Sequence, residues 1–173
     1  MSKKVNYKHL FTPKEDYLQK IMQVNHAGEL GAKYIYLGQL KALPEDREIL
    51  EMLESELKHL EFFEDRIKES GYKPSILNPI WEKMAFLMGY FSAKNSRKMA
   101  MLCTQKVEEV IERHYQAQID TLEDGELKDT LIRFRNEEIE HLNIGSLQSE
   151  GFIKASRLFN FITRFGIFFS SRI

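Results

Sequence analysis

Glu138-Ile139-Glu140-His141 and Glu56-Leu57-Lys58-His59 each set a carboxylate and an imidazole three residues apart. On a helix that spacing puts both side chains on one face, where they can grip one metal ion from the same side. Either pair alone is commonplace on a solvated helix of a Glu-rich chain. Here each is preceded by a further glutamate on a separate predicted helix: Glu29 lies 27 residues before Glu56, and Glu108 lies 30 before Glu138. Four ionised carboxylates in one interior would repel and be heavily desolvated. Two divalent cations would cancel that charge. A set rich in oxygen, with one imidazole per metal, suits iron or manganese better than a thiolate-favouring ion. In the expected arrangement Glu56 and Glu138 bridge both ions, Glu29 and Glu108 are terminal, and His59 and His141 serve one ion each.

The elements that must carry these residues are helices. Residues 15–42 have apolar Leu18, Ile21, Met22, Ile35 and Leu37 at helical intervals. A second helix is predicted over 44–70, with Pro44 in its first turn and Gly71 at its end. Asn78-Pro79 then reads as an N-cap and first-turn pair for a more apolar helix over 79–93. Further helices are predicted over 97–123 and 126–149, separated by Asp124-Gly125, and a last one over 152–172. No stretch reads as strand, so the class is all-α.

Glu29 and Glu56 lie at nearly equal offsets on either side of the turn near Leu43. Glu108 and Glu138 flank Asp124-Gly125 in the same way. In antiparallel pairs equal offsets mean equal heights, so all four acids sit near mid-helix, where buried charge is least welcome. A weak repeat runs alongside: Glu29, Tyr36 and Gln39 are spaced by 7 and 3, and so are Glu108, Tyr115 and Gln118. That parallel selects Glu108 over Glu109 as the inward acid. The matched Glu-x-x-His spacing favours Glu138 over Glu137. One pair of glutamates plus one Glu-x-x-His from each of two hairpins is the core pattern of ferritin-like di-iron and di-manganese bundles.

The chain has 173 residues, enough for one domain with a core, and spans a single domain over 1–173 in this reading. A formal net charge of -1 gives no footing for nucleic acid as a partner. Cys103 is the only cysteine, which excludes an intrachain disulfide and suits a reducing compartment. The apolar runs at 84–93 and 158–170 fall short of the roughly 20 residues of a spanning helix.

Val24-Asn25-His26-Ala27-Gly28-Glu29, with Gly31-Ala32 and Tyr36-Leu37-Gly38-Gln39, resembles the first ligand helix of the demethoxyubiquinone hydroxylases of ubiquinone biosynthesis. Cys103-Thr104, Val107-Glu108-Glu109 and His114-Tyr115-Gln116-Ala117-Gln118 resemble a second. Glu137-Glu138-Ile139-Glu140-His141 with Ile144-Gly145 resembles the last. The similarity extends from Glu15 over nearly the whole chain.

This resemblance implies a ferritin-like four-helix bundle with two additional apolar, membrane-facing helices. It implies a di-iron monooxygenase that uses O2 to hydroxylate the ring of a polyprenylated methoxy-methyl-benzoquinol, the penultimate step toward ubiquinol. The implied ligands are Glu29, Glu56, His59, Glu108, Glu138 and His141. By the resemblance His114 would stand near the substrate. Helix geometry adds Tyr115, seven residues after Glu108, and Tyr36, seven after Glu29: either would bond a ligand or bound oxygen, carry electrons, or sit as ordinary core with its hydroxyl satisfied. NADH is the expected reductant, although no GxGxxG fingerprint occurs. The resemblance leaves room for a lipid-presenting accessory protein and for a homo-oligomer.

A quinol with an isoprenoid tail stays in the bilayer, so the protein must reach it there. Trp81, Met84, Phe86, Leu87, Met88, Tyr90 and Phe91 make 80–93 apolar on most sides. The stretch 152–172 carries aromatic residues with Lys154, Arg157, Arg164 and Arg172 and no acid. Both suit an interfacial helix, the second attracted to anionic lipid. With no presequence read at the start, the expected setting is peripheral, on the cytoplasmic face of a bacterial inner membrane. Competing readings are a rubrerythrin-like peroxidase, a tRNA hydroxylase with the same ligand pattern, and non-enzymatic iron storage.

Overall fold

The computed structural model describes residues 13–149. Among them are five helices: α1 (Pro13–Ala42), α2 (Arg47–Ser70), α3 (Asn78–Asn95), α4 (Arg97–Ile119) and α5 (Glu126–Gln148). No strand occurs among the described residues. The predicted helix over 152–172 lies outside them.

α1 and α2 form one antiparallel hairpin, α4 and α5 the other, and α3 links the two while lying along α1. α1 has partners on several sides. Ile21, Val24, Ala27, Leu30, Ala32 and Ile35 are all buried although they do not share one face. Its approach to α3 depends on two glycines. A Cβ at Gly38 would fall on the Phe86 carbonyl and 2.7 Å from Tyr90 N, and one at Gly89 would fall on the Ile35 carbonyl. α2 shows the simpler pattern. Ile49, Met52, Leu53, Leu60, Phe63 and Ile67 repeat at helical spacing on its buried face, and Glu56 and His59 occupy that same stripe. α5 likewise buries Leu131, Phe134, Glu138, His141 and Gly145. Two acids and two histidines thus stand where the pattern calls for apolar side chains.

Within each hairpin the helices pack closely, and the seam between hairpins is crossed by polar contacts. Asn25 and Gln118 exchange amide hydrogen bonds at 2.8 and 2.9 Å across α1 and α4. On the same seam Gln39 Nε2 donates to the Ala100 carbonyl at 3.1 Å and to Thr104 Oγ1 at 3.3 Å.

Several helix ends differ from the sequence expectation. Pro44 lies in the turn ahead of α2, because Asp46 is the residue whose side chain caps it, accepting from Ile49 N at 3.3 Å. Asn78 is already inside α3 and does not cap it; its side-chain amide faces His26 Nδ1 at 3.3 Å. α4 ends at Ile119, short of the predicted 123. There Thr121 Oγ1, Thr121 N and Leu122 N all converge on the Gln118 carbonyl and close the helix. Gly71, with φ 69°, ends α2 as expected. The helix predicted over 79–93 is longer at both ends.

Candidate metal centre

The structure brings Glu29 from α1, Glu56 and His59 from α2, Glu108 from α4, and Glu138 and His141 from α5 to one depth in the bundle. The four glutamates and His59 have no exposed surface, and His141 is 7% exposed. Two overlapping groups result, Glu29, Glu56, His59 and Glu138 in one, and Glu56, Glu108, Glu138 and His141 in the other. Within each, one donor atom per residue lies within 4.8 Å of every other. Glu56 and Glu138 belong to both groups, as bridging residues must. His59 Nδ1 is 3.0 Å from Glu138 Oε1 and 3.5 Å from Glu29 Oε2. His141 Nδ1 is 3.1 Å from Glu56 Oε1 and 3.4 Å from Glu138 Oε2.

The inward atoms have no hydrogen-bond partners. Glu29 Oε2, Glu108 Oε2, both oxygens of Glu56 and of Glu138, His59 Nδ1 and His141 Nδ1 are all buried and unpaired. Buried polar atoms are rarely left so, and the omission costs free energy at each one. Here the unpaired atoms all face one another, and two divalent cations would satisfy them while cancelling the carboxylate charge. The donor set therefore fits a metal pair. Electrostatics show the same crowding. Burial first, then the neighbouring Glu138 carboxylate, holds Glu56 and Glu108 well above the usual carboxylate range. Against its burial, the neighbouring His141 and His59 rings hold Glu138 down at about 2. Against its own burial, contacts with Glu138 and Glu29 push His59 up to about 11.

The outer oxygens are held by residues from the opposite hairpin. Tyr36 OH on α1 donates to Glu108 Oε1 at 2.5 Å, and Tyr115 OH on α4 donates to Glu29 Oε1. Burial, then the facing carboxylates, raises both phenols well above their usual range, so both stay protonated donors. The His59 ring lies against Phe134, centroids 4.0 Å apart, and Phe63 and Tyr115 extend this aromatic wall.

Of the neighbouring acids on α5, Glu138 points inward and Glu137 does not. Glu137 Oε2 instead meets His59 Nε2 at 2.7 Å, with its side chain 36% exposed. His114 is half-buried, burial lowers its pKa, and it belongs to neither donor group. His26 is buried against Asn78, and burial lowers its pKa too. Sequence reasoning missed the roles of Ser55 and Phe134, the bond of Glu137 to His59, and the Asn25–Gln118 and Gln39–Thr104 contacts. Glu137 entered it only as the alternative to Glu138, Gln39 and Gln118 as members of the internal repeat, and Asn25 and Thr104 within the motifs of the resemblance.

Comparison with known proteins shows the family. The family model described as "Ubiquinone biosynthesis protein COQ7" matches residues 16–167. The chain is 41% identical over 140 residues to a Dictyostelium discoideum protein named NADPH-dependent 3-demethoxyubiquinone 3-hydroxylase, mitochondrial, covering 76% of this chain and 64% of that one. It is 38% identical over 134 residues to the 3-demethoxyubiquinol 3-hydroxylase of Rhodospirillum rubrum, covering 74% and 63%. It is 38% identical over 137 residues to a Homo sapiens protein with the same name as the Dictyostelium one, again covering 74% and 63%. The chain thus spans a little under two thirds of the length of these relatives. With a family model matched along most of its length and relatives of this identity over about three quarters of it, the chain belongs to the COQ7 family of ubiquinone biosynthesis proteins.

Proposed function

We propose that this chain is a di-iron monooxygenase that uses O2 to hydroxylate the ring of a polyprenylated demethoxybenzoquinol on the way to ubiquinone. The observation that carries the reading is the set of eight unpaired buried donor atoms on Glu29, Glu56, His59, Glu108, Glu138 and His141. The names of the relatives supply the substrate class. The names of the Dictyostelium and human relatives favour NADPH over the NADH that the resemblance implies, so the reductant is a reduced pyridine nucleotide, acting directly or through a relay.

A bound iron pair supplies the positions and electrons for O2 activation. The chain supplies the rest. Glu56 and Glu138, shared by both donor groups, hold the two positions together. Glu29 and Glu108 close the ends, each oriented through its outer oxygen by a tyrosine of the other hairpin. Phe134, against His59, and Phe63, against Tyr115, are buried and keep bulk water from one side of the pair. His114 is carried over as a substrate-side residue from the resemblance.

The membrane part of the reading gains support from α3. Ile80, Met84, Leu87 and Phe91 recur every three or four residues, and all are exposed, Phe91 to 60%. Ala85, Gly89, Ser92 and Ala93 face the protein. A monomer seldom leaves such a stripe to water, and a lipid surface would cover it. No described helix is long and apolar enough to cross a membrane, and the reading has α3 lie in the lipid interface through this stripe.

Lipid extraction from cells lacking the protein tests the activity. Accumulation of the demethoxy quinone is expected, reversed by the wild-type chain and not by Glu138→Ala. An unchanged quinone profile would contradict the assignment.

A further inference from the structure

We propose that Glu137 makes the two metal positions unequal, holding the far nitrogen of His59 and so strengthening the position that His59 serves. The inference rests on the metal-pair reading above. Glu137 Oε2 lies 2.7 Å from His59 Nε2, and Ser55 Oγ donates to the same oxygen at 3.1 Å. A carboxylate on the outer N–H fixes the tautomer, so that Nδ1 presents its lone pair inward, and it makes that nitrogen a stronger donor. Phe134 beneath the ring fixes its plane as well.

Among the described residues the other half of the repeat lacks this device. Glu137 precedes Glu138 on α5, and the matched position before Glu56 on α2 is Ser55. The Ser55 hydroxyl is turned to Glu137. Among the described residues the carboxylates paired with His141, Glu56 and Glu138, both meet its inward Nδ1, and the His141 ring meets the edge of Tyr36, centroids 6.5 Å apart. Two positions that are alike in their ligand types therefore differ one shell further out. Glu137 is a positioning residue: it acts through His59 and does not reach the inner atoms.

The test titrates ferrous ion, without oxygen, into the metal-free full-length chain, followed by calorimetry. The wild type is expected to bind two ions in two resolved steps. Glu137→Gln should weaken one step about 10–100-fold, leaving the other step and the total of two unchanged. Glu137→Ala should lose at least as much. Glu140→Gln removes the same charge from an exposed site on α5 and should leave both steps alone. Unchanged constants in both Glu137 variants, equal weakening of both steps, or the same loss in Glu140→Gln would overturn the inference. A wild-type chain that binds fewer than two ions would overturn the metal-pair reading itself, and this inference with it.

Discussion

Tyr36 on α1 gives its hydroxyl to Glu108 on α4, not to Glu29 on its own helix. Tyr115 on α4 returns the arrangement to Glu29. The exchange ties the two hairpins together at the depth of the acid cluster and leaves one oxygen of each glutamate free to face inward. Tyr36→Phe and Tyr115→Phe should therefore behave alike. Each is expected to lower ferrous affinity about 10–100-fold with the count of two ions kept. Ferrous titration of both variants checks this, and unchanged affinity in either would contradict it.

The metal-free chain should lose stability as pH rises. Glu56 and Glu108 stay protonated in the fold well above their ordinary value of 4.5, so the folded chain holds protons that the unfolded chain releases. Their contribution is fully present below 4.5 and falls as pH climbs through the folded values. His59 acts in the same direction, its contribution present below 6.5 and lost as pH approaches about 11. The Glu138 contribution is present above 4.5 and disappears only as pH falls toward about 2. Metal displaces these protons, so its added stability grows with pH. Urea midpoints near pH 5.5 and 8, with and without ferrous ion, should move in opposite directions.

Cys103 should be inert in the native chain. It is fully buried, and burial pushes its thiol up to about 12 despite an opposing hydrogen bond from Ser92. Almost no thiolate exists at pH 8 to react. A thiol-specific disulfide reagent should label the chain only after denaturant is added. Fast labelling of the native chain would contradict the packing around α4.

Gly89→Ala tests the α1–α3 contact. The added methyl would fall on the Ile35 carbonyl, a backbone group that cannot swing aside. Overpacking of this kind costs about 1–3 kcal/mol. Gly28→Ala on α1, where an added methyl meets nothing within 4 Å, is the control and should be neutral or slightly stabilising. Thermal melts of the two variants check the contrast.

The acid cluster was legible because its members break a rule that helices keep. Glu29, Glu56, Glu108 and Glu138 sit mid-helix at matched offsets from two turns, where a solvated acid has no reason to repeat. What lies one shell out was not legible. Helix periodicity relates Tyr36 to Glu29, but its partner depends on how α1 and α4 are rotated against each other, which no spacing within one helix encodes. Glu137 and Glu138 are neighbours of the same type. Their separate tasks appear only once α2 lies beside α5. α3 is apolar on most sides, so its pattern could not say which face the glycine contact with α1 would bury. The early end of α4 depends on a threonine hydroxyl turning back to a carbonyl, a local closure that competes with continued helix.

Crystals of the full chain grown with ferrous ion, measured at the iron absorption edge, test the centre most directly. Two anomalous peaks are expected, one between His59 and Glu29 and one between His141 and Glu108, with Glu56 and Glu138 touching both. A single peak, none, or iron only at the surface would contradict the account.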